Sequence, residues 1–385
     1  MNGLTYLDHA ATSAVRPRAV TDAIVAYMEN VGATPGRGSH RLALEAGRIA
    51  LRCRQRVALL LGLPGDTGRI AFMANATHAL NTALAGTVGA GDRIVVTALD
   101  HNAVLRPVAA LARRGAHVVQ VSGDRSGALD EDALTSALDG ARLLCINAAS
   151  NVLGTTLDVA RLAGLARSAG VLTLVDVAQA AGHLPFSAAA TGVDMVAFTG
   201  HKGLLGPQGI GGLWVREGVD VEPLLTGGSG GDSLLREMPR PLPDRLQAGS
   251  LNGPGIAGLL AGVDAVLAEG VDVIHARIAA LKRRLHRELS ALDHVRVLSP
   301  PGEDGVGIVT VVSDVADPAQ LALRLDREFG VLVRAGLHCA PEAHRLLGSE
   351  GTGAVRFSLG WSSTDEDVER AVAAMARIVG ARVSA

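Results

Sequence analysis

Short apolar runs alternate with longer helical patterns between residues 70 and 215, and this alternation most constrains the fold. The runs carry Val, Ile and Leu without polar alternation, which is typical of strands buried on both faces. Their spacing of about 20–30 residues fits helices that cross over between parallel strands. We therefore predict an α/β fold with a mostly parallel central sheet and helices on both faces. The runs are 93–98, 117–122, 142–148, 172–176 and 194–199.

A smaller unit follows a tract rich in Gly, Ser and Pro at residues 226–255. The patterns beyond this tract mix helices and strands, which is typical of an α+β domain. We predict a large domain over residues 17–252 and a small domain formed by residues 1–16 and 253–385. The helical patterns are 256–292, 318–329 and 365–378, and the apolar runs are 295–298, 307–312, 331–334 and 354–359.

The composition disfavours several classes of function. Of the 385 residues, 48% are hydrophobic and 19% are charged, so the chain can bury enough apolar surface to fold. A net charge of −2 provides no overall positive field for nucleic acid or anionic lipid. The chain has no apolar stretch long enough to span a membrane and no sign of a secretory signal at its start. We therefore expect a cytoplasmic protein that binds neither nucleic acid nor membrane.

Common nucleotide-binding and metal-binding patterns are absent from the sequence. The chain has no Gly-Lys dipeptide for a phosphate-binding loop, and no strand is followed by Gly-x-Gly-x-x-Gly. Its 12 His are scattered, and its 3 Cys lie far apart without the spacings typical of metal ligands. We therefore expect no metal site.

Lysine usage singles out one position. Among 36 basic residues, only Lys202 and Lys282 are lysines. Lys282 lies among Leu and Arg residues in a helical pattern, which indicates a solvated helix face. Lys202 instead follows the run 194–199 and is flanked by glycines, a common place for a catalytic group. Burial there would lower its pKa and let the amine attack a carbonyl group.

A carboxylate is predicted at the same edge of the sheet. The run 172–176 ends at Asp176, one strand before the strand that leads to Lys202. Because the carboxyl ends of parallel strands share one edge, both side chains are expected near one site. In a pyridoxal 5′-phosphate site, a lysine binds the cofactor and an acid keeps the pyridine nitrogen protonated. The pair favours this cofactor, although Asp176 also suits a helix N-cap.

These residues carry a resemblance to a known family. Asp176-x-x-Gln179, followed by Thr199-Gly200-His201-Lys202, resembles the fold-type I pyridoxal-phosphate enzymes of aminotransferase class V. The resemblance is greatest to the cysteine desulfurase and selenocysteine lyase group. Because further motifs match in the family's order from residue 6 to about residue 365, it covers nearly the whole chain. These further motifs are Tyr6–Thr12, Asp100–Pro107, Ser150–Thr155 and Ala248–Asn252.

The resemblance implies a role for each matching residue. Lys202 is expected to hold the cofactor and move protons, Asp176 to pair with the pyridine nitrogen, and His101 to stack on the ring as a further catalytic group. The resemblance also implies a homodimer, in which the partner subunit's Ser250 contacts the phosphate. Ala76 stands where the family often has a hydroxyl residue, so it offers the phosphate a backbone N–H alone. The implied cofactor-binding residues are Ala76, Thr77, His101, Asn151, Asp176, Gln179, Thr199, His201, Lys202 and Ser250.

The three cysteines differ in their surroundings. Cys53 lies in a helical pattern and Cys145 inside a predicted buried strand, so both are expected to be structural. Cys339 follows the run 331–334 in a loop with cationic neighbours, which favour the thiolate. It resembles the family's persulfide-forming cysteine. The alternative is a loop thiol without a function, because other class V members do without one.

Arg356 resembles the arginine that binds the substrate carboxylate in this family, together with Asn151 near the substrate. A planar guanidinium suits that task, although Arg356 could instead pair with a structural acid. Arg356 follows Cys339 by 17 positions, which resembles the branch with a short thiol loop. Leu337 departs from that branch, which often has a second His there, so the subfamily stays open.

The resemblance implies a pyridoxal-phosphate-dependent cysteine desulfurase. It would convert L-cysteine to L-alanine and leave the sulfur as a persulfide on Cys339, from which a small thiol or a sulfur-acceptor protein would take it. The alternatives are a selenocysteine lyase, a C–S β-lyase acting on a modified cysteine, and an aminotransferase or epimerase without persulfide chemistry. A non-catalytic scaffold for a sulfur-carrier protein is a more remote alternative, which the presence of Lys202 and Asp176 disfavours.

Overall fold

A computed structural model describes residues 3–36, 38–63, 67–230, 234–302 and 305–380. Its strands are β1 (Thr5–Tyr6), β2 (Ile70–Met73), β3 (Arg93–Thr97), β4 (His117–Val121), β5 (Leu143–Asn147), β6 (Leu172–Asp176), β7 (Met195–Thr199), β8 (Gly211–Val215), β9 (Val295–Val297), β10 (Ile308–Ser313), β11 (Val331–Leu332), β12 (Arg334–Gly336) and β13 (Ala354–Ser358). Its α-helices are α1 (Arg18–Asn30), α2 (Arg41–Leu60), α3 (Ala76–Thr87), α4 (Asn102–Ala112), α5 (Glu131–Leu138), α6 (Val159–Ser168), α7 (Ala188–Thr191), α8 (Gly253–Glu269), α9 (Val271–Ser290), α10 (Pro318–Phe329), α11 (Pro341–Leu347) and α12 (Asp365–Gly380).

Within the described residues, the central sheet has seven strands in the order β2-β8-β7-β6-β5-β3-β4. The strands from β3 to β7 run parallel, and β8 runs antiparallel to both of its neighbours. Successive residues of β5 enter different hydrophobic clusters, with Leu144 and Ile146 in one and Leu143 and Cys145 in the other. The sheet is therefore covered on both faces. The predicted α/β fold with a mostly parallel sheet is confirmed.

The later part of the chain forms a second, antiparallel sheet. Its strand order is β12-β13-β10-β9, and β1 pairs in parallel with β11 beside it. Asp8, just after β1, forms an isolated bridge with Ser358 at the end of β13. The first residues of the chain therefore pack with its last strands. The domain boundaries stay a prediction, and residues 1–2, 37, 64–66, 231–233, 303–304 and 381–385 of the predicted ranges lie outside the described residues.

Two sequence patterns correspond to structure that differs in detail. The single helical pattern at 256–292 is two helices, α8 and α9, separated at Gly270, whose φ of 93° no helix accommodates. The run 117–122 is a strand, but His117, Val118 and Gln120 in β4 are exposed. β4 is the edge strand of the central sheet, so its side chains are less covered than those of interior strands.

The expectation that Lys282 lies on a solvated helix face is wrong. Lys282 is 2% exposed and lies in α9 between the buried Ile278 and Leu285. These positions are four residues before it and three residues after it, so they share one face of the helix. Its charged neighbours in sequence suggested solvent, but helical periodicity places it on the buried stripe. In the described part of the chain, no helix is both long and apolar enough to cross a membrane.

A pair of glycine substitutions separates backbone strain from steric contact near Lys202. Gly182 has a φ of 79°, and a Cβ there would lie 2.2 Å from the Gly203 carbonyl oxygen. Gly170 has a φ of 70° with nothing within 4 Å of such a Cβ. We expect Gly170→Ala to lower the free energy of unfolding by about 1–2 kcal/mol and Gly182→Ala by about 2–4 kcal/mol. Urea unfolding measures both, and equal losses would contradict the predicted clash.

Candidate active site

Most of the sequence-predicted residues meet in one cavity beside the carboxyl ends of the parallel strands. The cavity has a volume of about 250 Å³. Strands, helix starts and the smaller sheet all contribute side chains to it. The predicted residues that line it are Ala76, Thr77, His101, Asn151, Asp176, Gln179, Thr199, His201, Lys202 and Arg356.

Lys202 and Asp176 come from neighbouring parallel strands. Asp176 ends β6 and pairs in register with Ala197 of β7, the strand that leads to Lys202. The Asp176 carboxylate accepts a hydrogen bond from the Ala178 N–H at 2.8 Å, and burial raises its pKa. Burial lowers the pKa of Lys202 to about 8, against the opposing effect of the Asp176 charge. At pH 7 about a tenth of the Lys202 amine is therefore neutral and nucleophilic, far more than for an exposed lysine.

His101 both caps a helix and lines the cavity. Its Nδ1 accepts a hydrogen bond from the Ala103 N–H at 3.0 Å at the start of α4. The neutral ring therefore carries its proton on Nε2. Burial, reinforced by the charge of Lys202 and nearby arginines, lowers the pKa of His101 to about 4. A neutral ring with a fixed orientation suits stacking on an aromatic group.

The start of α3 and the end of β7 form a polar end of the cavity. Asn75 caps α3 by accepting a hydrogen bond from the His78 N–H at 2.9 Å. Ala76 and Thr77 follow in the first turn, where backbone N–H groups and the helix dipole favour an anion. The Thr199 hydroxyl is buried and has no hydrogen-bond partner within the described residues. A phosphate oxygen would satisfy it.

The N-terminal motif Tyr6–Thr12 contacts two of the predicted residues. His201 Nδ1 lies 3.1 Å from Thr12 Oγ1, and burial lowers the pKa of His201 to about 4. Gln179 Nε2 donates a hydrogen bond to the Ala10 carbonyl at 3.1 Å. These contacts fix the side chains of His201 and Gln179. They also show how the N-terminal motif, which is distant from both residues in sequence, takes part in this site.

Arg356 is 1% exposed, and its guanidinium is held from two sides. Its Nη2 donates to Asp8 Oδ1 at 2.9 Å, and its Nη1 donates to the Asn151 carbonyl at 3.0 Å. Its Nε has no partner within the described residues. The ion pair that the sequence left open as an alternative is therefore present, with Asp8 as the acid. A ligand carboxylate would meet a guanidinium whose orientation is already fixed.

A second arginine, Arg334, lies beside Arg356. The two are register partners on β12 and β13, and both line the cavity. Like charges placed opposite each other destabilise a sheet, so a bound anion would stabilise this pair. Neither Arg334 nor Asp8 was predicted as a site residue. Arg334 is placed opposite Arg356, and Asp8 is placed beside Arg356, by strand pairing between distant segments. Neither pairing leaves a local pattern in the sequence.

Cys339 lies in the loop between β12 and α11 and is half-buried. Arg334 Nη2 is 3.7 Å from its Sγ, and the Asn102 N–H donates to its carbonyl at 2.7 Å. His338 and Cys339 have φ angles of 50° and 58°. This left-handed conformation costs a non-glycine residue about 1–3 kcal/mol. The thiol is therefore held in a strained loop between the start of α4 and an arginine.

The remaining candidates lie outside the cavity. Cys53 and Cys145 are buried in the core, and burial raises the pKa of both thiols, in agreement with the expected structural role. Ser250 is exposed in the segment that leads into α8. Its predicted contact with a phosphate joins two subunits, so it stays a prediction.

Comparisons with known proteins identify the family. The profile described as aminotransferase class V matches residues 5–371. The chain belongs to the aminotransferase class V family. A Methanothermobacter thermautotrophicus protein named probable cysteine desulfurase is 33% identical over 94% of this chain and 92% of that protein. A Pseudomonas aeruginosa protein with the same name is 37% identical over 97% and 94% of the two chains.

A solved structure shares the fold over nearly its full length. The apo cysteine desulfurase from Thermococcus onnurineus NA1 has a TM-score of 0.91 and 31% identity, covering 98% of this chain and 95% of that chain. The class V family is pyridoxal-phosphate-dependent, and the cavity fits this cofactor. It offers a nucleophilic amine from Lys202, an acid from Asp176 and an unsatisfied hydroxyl from Thr199 beside a helix start. Ala76 also lines the cavity, and its role toward the phosphate stays a prediction.

The Arg356–Asp8 pair gives a testable stability difference. Asp8→Asn keeps the shape of the side chain but leaves the buried guanidinium without its counter-charge. We expect the free energy of unfolding to fall by about 2–4 kcal/mol. The matched control is Asp22→Asn, which removes an exposed pair with Arg18 and should cost less than about 0.5 kcal/mol. Thermal or urea unfolding gives both values, and a negligible loss for Asp8→Asn would contradict the prediction.

Proposed function

We propose that this chain is a pyridoxal-phosphate-dependent cysteine desulfurase that converts L-cysteine to L-alanine and receives the sulfur on Cys339. The observation that carries the proposal is the place of Cys339, a half-buried thiol 3.7 Å from Arg334 Nη2. Arg334 lines the same cavity as Lys202 and Arg356. Relatives named probable cysteine desulfurase over at least 94% of this chain support the same activity.

Arg356 would bind the substrate carboxylate. Its guanidinium is oriented by Asp8 and by the Asn151 carbonyl, and a planar fork suits two parallel hydrogen bonds to a carboxylate. Arg334 adds a second positive charge on the same face of the small sheet. An α-amino acid bound in this way would lie between the Lys202 amine and the Cys339 loop.

The cofactor supplies an electron-withdrawing ring that stabilises negative charge at the substrate Cα. Lys202 would attach to its aldehyde, Asp176 would keep its pyridine nitrogen protonated, and His101 would stack on its face. The other proposed contacts are the start of α3 and several polar side chains. They are Ala76, Thr77, Thr199 and His201 at the phosphate, and Gln179 and Asn151 at the ring oxygen and substrate.

Lys202 and Cys339 would perform the two reactive steps. The Lys202 amine, with its pKa of about 8, would remove the Cα proton once the substrate amine has replaced it on the cofactor. The Cys339 thiolate, whose sulfur lies 3.7 Å from Arg334 Nη2, would then attack the substrate sulfur. A sulfur–sulfur bond forms and the carbon–sulfur bond breaks, with its electron pair left on carbon. That carbon takes a proton, a proton returns to the Cα from Lys202, alanine leaves, and a persulfide remains on Cys339.

The working assembly is part of the proposal. It is a cytoplasmic homodimer in which the partner subunit's Ser250 reaches the phosphate, and it passes sulfur to a small thiol or an acceptor protein. The exposed Leu234 and Leu235, 92% and 55% accessible in the same tract as Ser250, support a contact between subunits there. The division into a large domain of residues 17–252 and a small domain of residues 1–16 and 253–385 is likewise proposed.

The pKa of Lys202 determines how fast cofactor-free protein binds pyridoxal phosphate covalently. Because only the neutral amine attacks the aldehyde, the rate should rise with pH around a midpoint of about 8. Arg334→Gln removes a charge that lowers this pKa, so its midpoint should move upwards. Stopped-flow absorbance at a series of pH values measures both. A midpoint near the ordinary value of 10.5 would show that burial does not control this amine.

Removal of Cys339 tests the proposed activity. Cofactor-loaded protein given L-cysteine and a reductant should release sulfide and alanine in equal amounts. Cys339→Ala should lower both by about 100-fold or more while the cofactor's visible absorption persists, because the sulfur acceptor is lost. Cys53→Ala and Cys145→Ala are the matched controls and should keep the activity. If Cys339→Ala remains active, or pyruvate replaces alanine, the enzyme is a lyase instead.

A further inference from the structure

A buried chain of hydrogen bonds lies behind the Cys339 loop and takes no part in the steps above. His338, His344 and Ser349 are 2%, 0% and 3% exposed. His338 Nδ1 lies 3.1 Å from His344 Nε2, and His344 Nδ1 lies 2.9 Å from Ser349 Oγ. At the other end, His338 Nε2 lies 3.1 Å from the Arg334 carbonyl. These hydrogen bonds link Ser349, two residues beyond the end of α11, to Arg334, the first residue of β12.

The chemistry of these atoms gives the chain one direction. A carbonyl oxygen accepts hydrogen bonds, so His338 must carry its proton on Nε2 and accept through Nδ1. His344 must then donate from Nε2, which leaves its Nδ1 to accept from the Ser349 hydroxyl. Burial lowers the pKa of His338 to about 3 and that of His344 to about 4, so both rings are neutral at ordinary pH. Each link therefore fixes the tautomer of the next ring.

The same arrangement excludes His338 as an acid or base for the substrate. Both of its ring nitrogens are used inside the loop, by His344 and by the Arg334 carbonyl. Its own carbonyl accepts a hydrogen bond from Asn151 Nδ2 at 2.7 Å. The Cys339 loop is thus held on one side by Asn151, in the loop after β5, and on the other by the hydrogen bonds to His344 and Ser349. This series of hydrogen bonds holds the backbone carbonyl of Arg334, whose side chain reaches the sulfur of Cys339.

We infer that His344 is a positioning residue for Cys339, acting through its hydrogen bond to His338. His338 and Cys339 are consecutive non-glycine residues with positive φ, a strained conformation that persists only where surrounding contacts hold it. The chain of hydrogen bonds through His338, His344 and Ser349 provides such contacts. Buried polar groups that are fully satisfied specify one conformation more sharply than apolar packing does. The inference rests on the proposed role of Cys339 and extends the sulfur-transfer machinery to a residue of α11 that does not line the cavity.

Two isosteric substitutions separate the hydrogen bond from the bulk of the side chain. A Gln amide at position 344 places its nitrogen near that of His Nε2, whereas an Asn amide places it near Nδ1. We expect His344→Gln to preserve the donor to His338 and His344→Asn to lose it. Ser349→Ala removes the hydrogen-bond donor to His344 Nδ1 and should act in the same direction more weakly. His286→Asn, at a half-buried helix histidine bonded to the Ser299 carbonyl, is the matched control.

Two readouts test the inference on cofactor-loaded protein. The first is hydrogen–deuterium exchange of the amides at residues 337–340, which needs no activity. The second is rapid mixing with L-cysteine, in which the change in cofactor absorbance is compared with persulfide on Cys339, quantified by mass spectrometry. We expect His344→Asn to speed exchange in this segment and to slow persulfide formation by about 10–100-fold, since small misplacements of a reacting group cost this much. The absorbance change should keep its rate, because Lys202 and Arg356 are untouched.

The outcomes distinguish this inference from the proposed function. Near-normal behaviour of His344→Gln and His286→Asn beside an impaired His344→Asn supports the positioning role. Equal impairment of His344→Gln and His344→Asn overturns it, because the loss would then come from the changed volume of the side chain and not from the lost hydrogen bond. Wild-type behaviour of both His344→Asn and Ser349→Ala overturns it too. If no protein forms a persulfide, wild type included, but exchange still separates the two variants, the positioning of the loop is supported and the proposed function fails.

Discussion

A guanidinium buried in the small sheet cannot lose its charge, because arginine stays protonated at any pH that a folded protein meets. Arg356 therefore needs acceptors, and the chain brings them from distant places: Asp8 from the first residues and the Asn151 carbonyl from the loop after β5. Unpaired, such a charge would be strongly destabilising. Through these contacts the N-terminal segment, the loop after β5 and the last strands meet at Arg356. The cavity lies beside it.

The electrostatics of the cavity follow from this convergence. Lys202, Arg334 and Arg356 bring three positive charges to one small space, with Asp8 and Asp176 as the nearby carboxylates. Such a site is suited to ligands that carry a carboxylate and a phosphate. Burial and these cations together keep the pKa of Lys202 low and that of His101 lower still, so one is partly neutral and the other fully neutral at ordinary pH. A phosphorylated cofactor and an amino acid substrate fit this pattern of charge.

Local sequence patterns predicted the strands that position Asp176 and Lys202. The run 172–176, the run 194–199 and the glycines around Lys202 were sufficient to place Asp176 and Lys202 at one sheet edge, because parallel strands make that edge a local property of the chain. The same patterns were misleading for Lys282, whose basic neighbours in sequence gave no sign of its burial. Arg334 was noticed only as a cationic neighbour of Cys339, because its place opposite Arg356 depends on the register of β12 with β13. His344 gave no signal, because its contact with His338 depends on how α11 folds back.

The sequence by itself determined the fold class, the strand ends that carry Asp176 and Lys202, and the identity of Cys339 as the distinctive thiol, because each depends on residues that are close together in the chain. The tertiary structure alone decided that Arg356 pairs with Asp8, that Arg334 reaches the Cys339 sulfur, and that His338 is fixed by His344 and Ser349. The physical reason for the first is that strand register and the packing of buried charges bring together residues that lie far apart in sequence, as Asp8 and Arg356 do. For the others, the conformation of the Cys339 loop and its packing against α11 decide which of several nearby side chains meet. No local spacing records which of the many possible partners a buried charge finds.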